Sequence, residues 1–229
     1  MKRIPIYTLR LLDISIPDDP DVIKLLLNGA KDLAKEHKRA FKKNGIKPDI
    51  FHNDDVKYSG IQLSRYQGAP EWTAIGVKEV KALKTWFKLF KKQSDIKLKN
   101  IVEIKEKYTP EYLKYRKKYH TGTLLISDDI AKELNNTEDK FAVYDRMEKY
   151  LYGNIIRFLK HIGFEHNTDK KFIKVTVINL RSHKKAKRVY HKHKKTAFAV
   201  TFTCNFRLPQ TVRLGQSTAL GYGKVRHIR

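Results

Sequence analysis

A chain of 229 residues, 41% hydrophobic and 11% aromatic, carries enough apolar material for one large core or two small ones, and too much for a solvated coil. Its 49 Lys+Arg against 24 Asp+Glu leave a formal charge of +25, an imbalance that must be offset by an anionic partner. The longest run lacking acid or base, residues 196–206, falls far short of the ~20 apolar residues of a membrane span, and Arg10 and Asp13 break the apolar start that a secretory signal would need. The single Cys204 excludes an internal disulfide and points to a reduced, cytosolic compartment.

In chain order, residues 4–16 read as an extended segment rich in Ile, Leu, Tyr and Thr. Asp19 caps a helix with Pro20 in its first turn. The apolar seam of that helix is Ile23, Leu26, Ala30, Leu33, His37 and Phe41, and Asn44-Gly45 stops it. A loop over 46–57 holds Pro48 and the acidic pair Asp54-Asp55. Residues 58–66 and 71–75 read as strands joined by Gln67-Gly68-Ala69-Pro70. Val77, Val80, Leu83, Phe87 and Phe90 form the seam of a second helix, and 97–106 is a further strand. This order, β-α-β-β-α-β, is the ferredoxin-like or RRM-like pattern.

The charged stretch 107–118, with Pro110, reads as a junction. A strand over 119–126 follows, then a short helix capped by Ser127 or Asp128. A longer helix has the seam Phe141, Tyr144, Glu148, Leu151, Ile155, Phe158 and Ile162, and ends at Gly163. Residues 172–180 and 196–206 read as paired strands. Phe198, Val200, Phe202, Cys204 and Phe206 alternate strictly, which buries one face. Residues 224–228 form a last strand, and a glycine-bearing segment stands where a second helix belongs. The predicted fold is therefore α+β, with two tandem ferredoxin-like domains over 1–110 and 111–229 and a C-terminal glycine-rich loop.

The charge is unevenly placed. Asp169 is the last acid, and residues 170–229 hold 16 Lys+Arg. Phosphate backbones are the usual partner for such a stretch, whereas no helix pairs a wide apolar face with a basic one as a membrane-surface segment would. Arg181, Lys184, Lys185, Lys187, Arg188, Lys192, Lys194 and Lys195 crowd a run that also holds three His. That run suits an arm laid along an RNA groove; a solvated hairpin tip is the alternative. Gly215, Gly221 and Gly223, flanked by Arg213 and Lys224, read equally as a backbone approach to phosphate or as a tight structural turn. No Walker-type Lys-Ser/Thr follows them.

Three strings carry a resemblance to a known family. They are FHNDD followed by YSGIQ at 51–62, YGNIIRFLKHIGF at 152–164, and NFRLPQTVRLGQSTALGYGKV at 205–225. Together they resemble the RAMP superfamily of CRISPR-associated proteins, and within it the endoribonucleases that process repeat RNA into guide RNA. The resemblance implies CRISPR repeat RNA as partner, His52 as a catalytic residue and RNA contacts from the glycine-rich ending. It also allows other CRISPR effector subunits as partners. One departure stands out: where the similar enzymes carry a second histidine, this chain has Asp54. A RAMP protein that holds guide RNA without cutting it is the alternative function, and a basic ribosome-associated protein is a more distant one.

The chemistry follows from RNA itself. Its 2′-OH attacks the adjacent phosphorus while a base removes the hydroxyl proton, an acid protonates the leaving 5′-oxygen and a cation steadies the phosphorane. Histidine serves either proton role near neutral pH. The expected reaction therefore uses no metal and no cofactor, and leaves a 2′,3′-cyclic phosphate and a 5′-hydroxyl. His52 lies on a loop that can reach a groove. His37, on the helix seam, is a second candidate and is expected to pack. Asp54 either orients His52 in the required tautomer or hydrates the loop. His191 and His193 share a strand face as a possible metal pair, but the lysines around them make them part of the basic run.

Overall fold

The computed structural model describes residues 3–51, 58–94, 97–166, 172–183, 187–190 and 193–228, with 48–49, 187–190 and 193–194 as backbone. The chain divides into two compact units: Lys2–Thr109 with Ala219–Gly221, and Pro110–Thr218 with Tyr222–Arg229.

The first unit runs β1 (Ile4–Leu11), α1 (Pro20–Glu36), α2 (Lys38–Lys42), a 3-10 turn (Pro48–Phe51), β2 (Ile61–Tyr66), β3 (Ala69–Ile75), α3 (Val77–Gln93) and β4 (Ile101–Tyr108). Its antiparallel sheet has the order β2-β3-β1-β4, the ferredoxin-like arrangement. Asp19 caps α1 by accepting the Asp21 amide at 2.8 Å, with Pro20 opening the helix. The β2–β3 hairpin turns on Gln67-Gly68 alone, both with positive φ, so Ala69 and Pro70 already belong to β3. Trp72 of β3 and Trp86 of α3 meet at 4.7 Å between ring centroids, and Phe51 packs edge-on against Trp72. This aromatic cluster is the core between helices and sheet.

The seam of α1 differs from the expected one. Ile23, Leu27, Ala30 and Ala34 are buried, while Leu26 is 36% exposed. Leu25-Leu26-Leu27 offers two stripes that fit a 3.6-residue period equally, and the buried one continues through Ala30 and Ala34. The helix also ends sooner. His37 leaves helical geometry at φ −98° and ψ 34°, which separates Phe41 onto α2.

The second unit contains β5 (Tyr112–Leu125), α4 (Asp128–Asn136), α5 (Lys140–His161), β6 (Val175–Ser182), β7 (Lys187–Tyr190), β8 (His193–Lys195), β9 (Ala197–Phe206), a 3-10 turn (Thr218–Leu220) and β10 (Val225–Ile228). Its four-stranded sheet has the order β10-β5-β9-β6, which repeats the fourth-first-third-second order of the first unit. β7 and β8 form a separate hairpin. Gly163, at φ +67°, ends the α5 region as expected.

The stretch read as a junction is mostly strand. Tyr112 begins β5, opposite Phe206, and its ring packs edge-on to Phe206 at 5.2 Å. The charges on 114–118 misled the reading because register shifts along β5 place several consecutive polar residues in solvent. Phe141, expected on the α5 seam, is 86% exposed, and the buried stripe starts at Met147.

Candidate functional site

His52 and Asp54 lie outside the described residues. Their flanks do not: Phe51 is buried in the aromatic cluster, and Tyr58 is buried with its hydroxyl accepting from Gln62 Nε2 at 3.2 Å. Gln62 also donates to the Ser59 carbonyl at 3.0 Å, so the Ile-Gln strand start is fixed from within. His37 is half-buried at the α1–α2 junction, where its Nε2 lies 2.8 Å from Gln93 Nε2 on α3.

Of the basic run, Lys184, Lys185 and Lys192 are outside the described residues. Lys187, Arg188 and Lys194 fall on the β7–β8 hairpin, whose register sets Lys187 opposite Lys195 and Arg188 opposite Lys194. Arg181 is exposed on β6 opposite Ala199. Lys195 Nζ donates to Gln216 Oε1 at 2.6 Å, which ties the hairpin to the glycine-bearing segment.

That segment is built around its glycines. The Gly215 amide donates to Asn154 Oδ1 at 3.0 Å, and a Cβ on Gly215 would lie 2.5 Å from the Leu125 carbonyl oxygen. Gly223 has φ +73°, donates its amide to Thr123 O at 2.8 Å, and would drive a Cβ into the Leu214 carbonyl. Gly221, at φ +86°, sits against β2: a Cβ there would meet Ser64 Cβ at 2.9 Å. Backbone geometry and close packing alone thus require all three. Tyr150 of α5 donates to Leu125 O at 3.1 Å, and burial pushes its phenol up to about 12, so it remains a donor across the neutral range. Arg213, expected to touch RNA, is only 1% exposed, and its backbone bridges Lys224.

The sequence reading missed the polar face of the second sheet. Register places Arg226, His120, Thr201 and Asn179 in one row across β10, β5, β9 and β6, and Ile228, Lys118, Thr203 and Thr176 in another. His120 Nδ1 lies 3.0 Å from Thr201 Oγ1, and Arg116 Nη1 donates to Thr176 Oγ1 at 2.6 Å. No acid stands in these two rows. The signal was present in the polar positions that alternate with Phe198, Val200, Phe202 and Cys204. Among the described residues, no group of three or more His, Cys, Asp or Glu is placed to hold a metal, and no helix is long and apolar enough to cross a membrane.

A family model described as the Cas6b C-terminal domain matches residues 107–228, more than half of the chain. The chain belongs to the Cas6b family. A search of curated proteins finds no match. Among solved structures, a crystal structure of Cas6b aligns over 99% of this chain and 100% of its own, with a TM-score of 0.71 and 19% identity. A crystal structure described as the CRISPR RNA processing endoribonuclease Cas6b covers the same shares at a TM-score of 0.68 and 17% identity. A Cas6 product complex aligns over 99% of each chain at 0.56 and 10%. At such identities the likeness establishes the fold: this Cas6b-family chain has the tandem ferredoxin-like architecture, with the matched model lying over the second unit.

Proposed function

We propose that this chain binds CRISPR repeat RNA and cleaves it once to mature guide RNA, without a metal. The 2′-oxygen attacks the adjacent phosphorus and gives up its proton to a base. The P–O5′ bond breaks as an acid protonates O5′, leaving a 2′,3′-cyclic phosphate and a 5′-hydroxyl. His52 carries proton transfer in this reading, and Asp54 orients its ring. The first 110 residues hold the catalytic segment, and residues 111–229 hold the basic hairpin and the glycine-rich ending.

The observation that carries RNA binding is the β7–β8 register, which opposes Lys187 to Lys195 and Arg188 to Lys194 with no acid anywhere in the last 60 residues. A polyanion offsets the positive charge gathered in this stretch of sequence. Arg181, Lys184, Lys185, Lys192 and Lys224 add further RNA contacts in this reading, and Gly215, Gly221 and Gly223 let the backbone approach RNA. Family membership supports cleavage, since a Cas6b of the same fold is described as a CRISPR RNA processing endoribonuclease. Asp54, standing where the similar enzymes carry histidine, favours a second reading in which the protein holds guide RNA without cutting it.

Incubating end-labelled repeat RNA with the protein in EDTA tests both readings. A single cut is expected, and His52→Ala should slow it by roughly 10²–10⁴-fold with repeat binding retained. Specific binding without a cut would select the holding role. Cleavage abolished by EDTA would overturn the metal-free mechanism.

A further inference from the structure

In the first unit, Ser64 of β2, Glu71 of β3 and Arg10 of β1 are register neighbours, and their side chains share one face of the sheet. Glu71 is the centre of the row. Its Oε2 accepts from Arg10 Nε at 2.8 Å and its Oε1 from Ser64 Oγ at 3.2 Å. The Glu71 side chain is 4% exposed and that of Arg10 is 20% exposed. The guanidinium also lies over the Tyr66 ring, with Cζ 3.7 Å from its centroid.

Arg10 is therefore fixed on two sides, by a carboxylate on Nε and by an aromatic face beneath its plane. Among the described residues Nε makes the only hydrogen bond of this guanidinium. The two terminal nitrogens keep their donors. A guanidinium so held has already lost its rotamer freedom, and its remaining N–H groups form the planar fork that matches two oxygens of one phosphate. Gly221 leaves the neighbouring surface without a side chain where it meets Ser64 on this same face. A purely structural pair would need only one strand neighbour; the stacking tyrosine and the unused fork are what point outward.

We propose that Arg10, braced by Glu71 and Tyr66, is a phosphate-binding residue for a single phosphodiester of bound RNA, with the Tyr66 ring beside it as a surface for an adjacent base or ribose. The assignment rests on the RNA-binding reading above and adds a contact in the first unit.

The test is binding of labelled repeat RNA, with an unrelated RNA of equal length as a second probe, across a salt series. Arg10→Gln combined with Glu71→Gln keeps a hydrogen bond in the row while removing the fork and the buried charge together. This double variant should melt near the parent, bind repeat RNA about tenfold more weakly, and show a log–log salt slope flatter by roughly 0.7, the share of one phosphate on a single strand. Arg10→Lys keeps the charge and the pair with Glu71 but loses the fork, so its slope should match the parent while affinity falls about threefold. A folded double variant with parental affinity and slope overturns the assignment. Should the double variant fail to fold, parental affinity in Arg10→Lys overturns it instead. A parent protein that binds neither RNA defeats the RNA-binding reading itself, an outcome distinct from both.

Discussion

Asn154, midway along α5, accepts the Gly215 amide proton at 3.0 Å while its own Nδ2 donates to the Tyr150 carbonyl at 2.8 Å. One side chain thus fixes the start of the glycine-bearing segment to a helix. Asn154→Ala leaves a half-buried amide without its acceptor and should cost about 1 kcal/mol. Urea denaturation measures it; a loss below about 0.5 kcal/mol would mean that the segment is held by its other bonds.

Gly163 and Gly223 both have positive φ, but only one is crowded. An alanine Cβ at Gly163 meets nothing within 4 Å, whereas at Gly223 it runs into the Leu214 carbonyl. Gly163→Ala should cost about 1 kcal/mol, the strain of a left-handed alanine. Gly223→Ala should cost roughly 3 kcal/mol or more, because backbone must move as well. Thermal melting of the two variants side by side checks the ordering.

Acid should loosen the join between β1 and β4. Asp13 accepts the Lys99 and Asn100 amides, each at 2.6 Å, and the Asn100 side chain at 2.7 Å. The Asn100 backbone bond, foremost among these, holds its carboxyl below the usual carboxylate range. The stability from Asp13 is therefore complete above the ordinary Asp range and is lost as pH falls through the depressed folded value. Asp13→Asn should melt lower than the parent at pH 7, and the gap should close as the pH drops below about 4. A gap that stays constant with pH would assign the cost to geometry rather than charge.

The basic run should govern the salt dependence of RNA binding. Neutralising Z phosphates gives a log–log slope of roughly −0.7Z on single strands. Replacing Lys184, Lys185, Lys187 and Arg188 together by Ala should flatten that slope and weaken repeat binding. Unchanged slope and affinity would leave the hairpin as a solvated tip.

Much of the fold was legible because periodicity and caps are local. The alternation from Phe198 to Phe206 became β9 with its even positions buried, and Asp19-Pro20 opened α1 as read. Misreadings arose where two periods fit the same residues, as at Leu25-Leu26-Leu27, or where charge concealed a strand, as at residues 114–118. The candidate site was legible only in part. A string motif locates His52 and Asp54, both outside the described residues. Arg10 and Glu71 are 61 residues apart and meet only through the pairing of β1 with β3, which no local pattern in either strand announces.

Ala219–Gly221 count with the first unit although the chain on either side of them belongs to the second. During synthesis, a ribosome that has finished β4 has therefore not yet supplied everything the first unit contains. The surface of β2 around Leu63 and Ser64 waits through more than a hundred further residues before Gly221 reaches it. Domains often fold in turn from the N terminus as they emerge; here the first unit can begin early but is completed almost last, so a nascent chain stalled before residue 219 should remain protease-sensitive in a segment that looks finished.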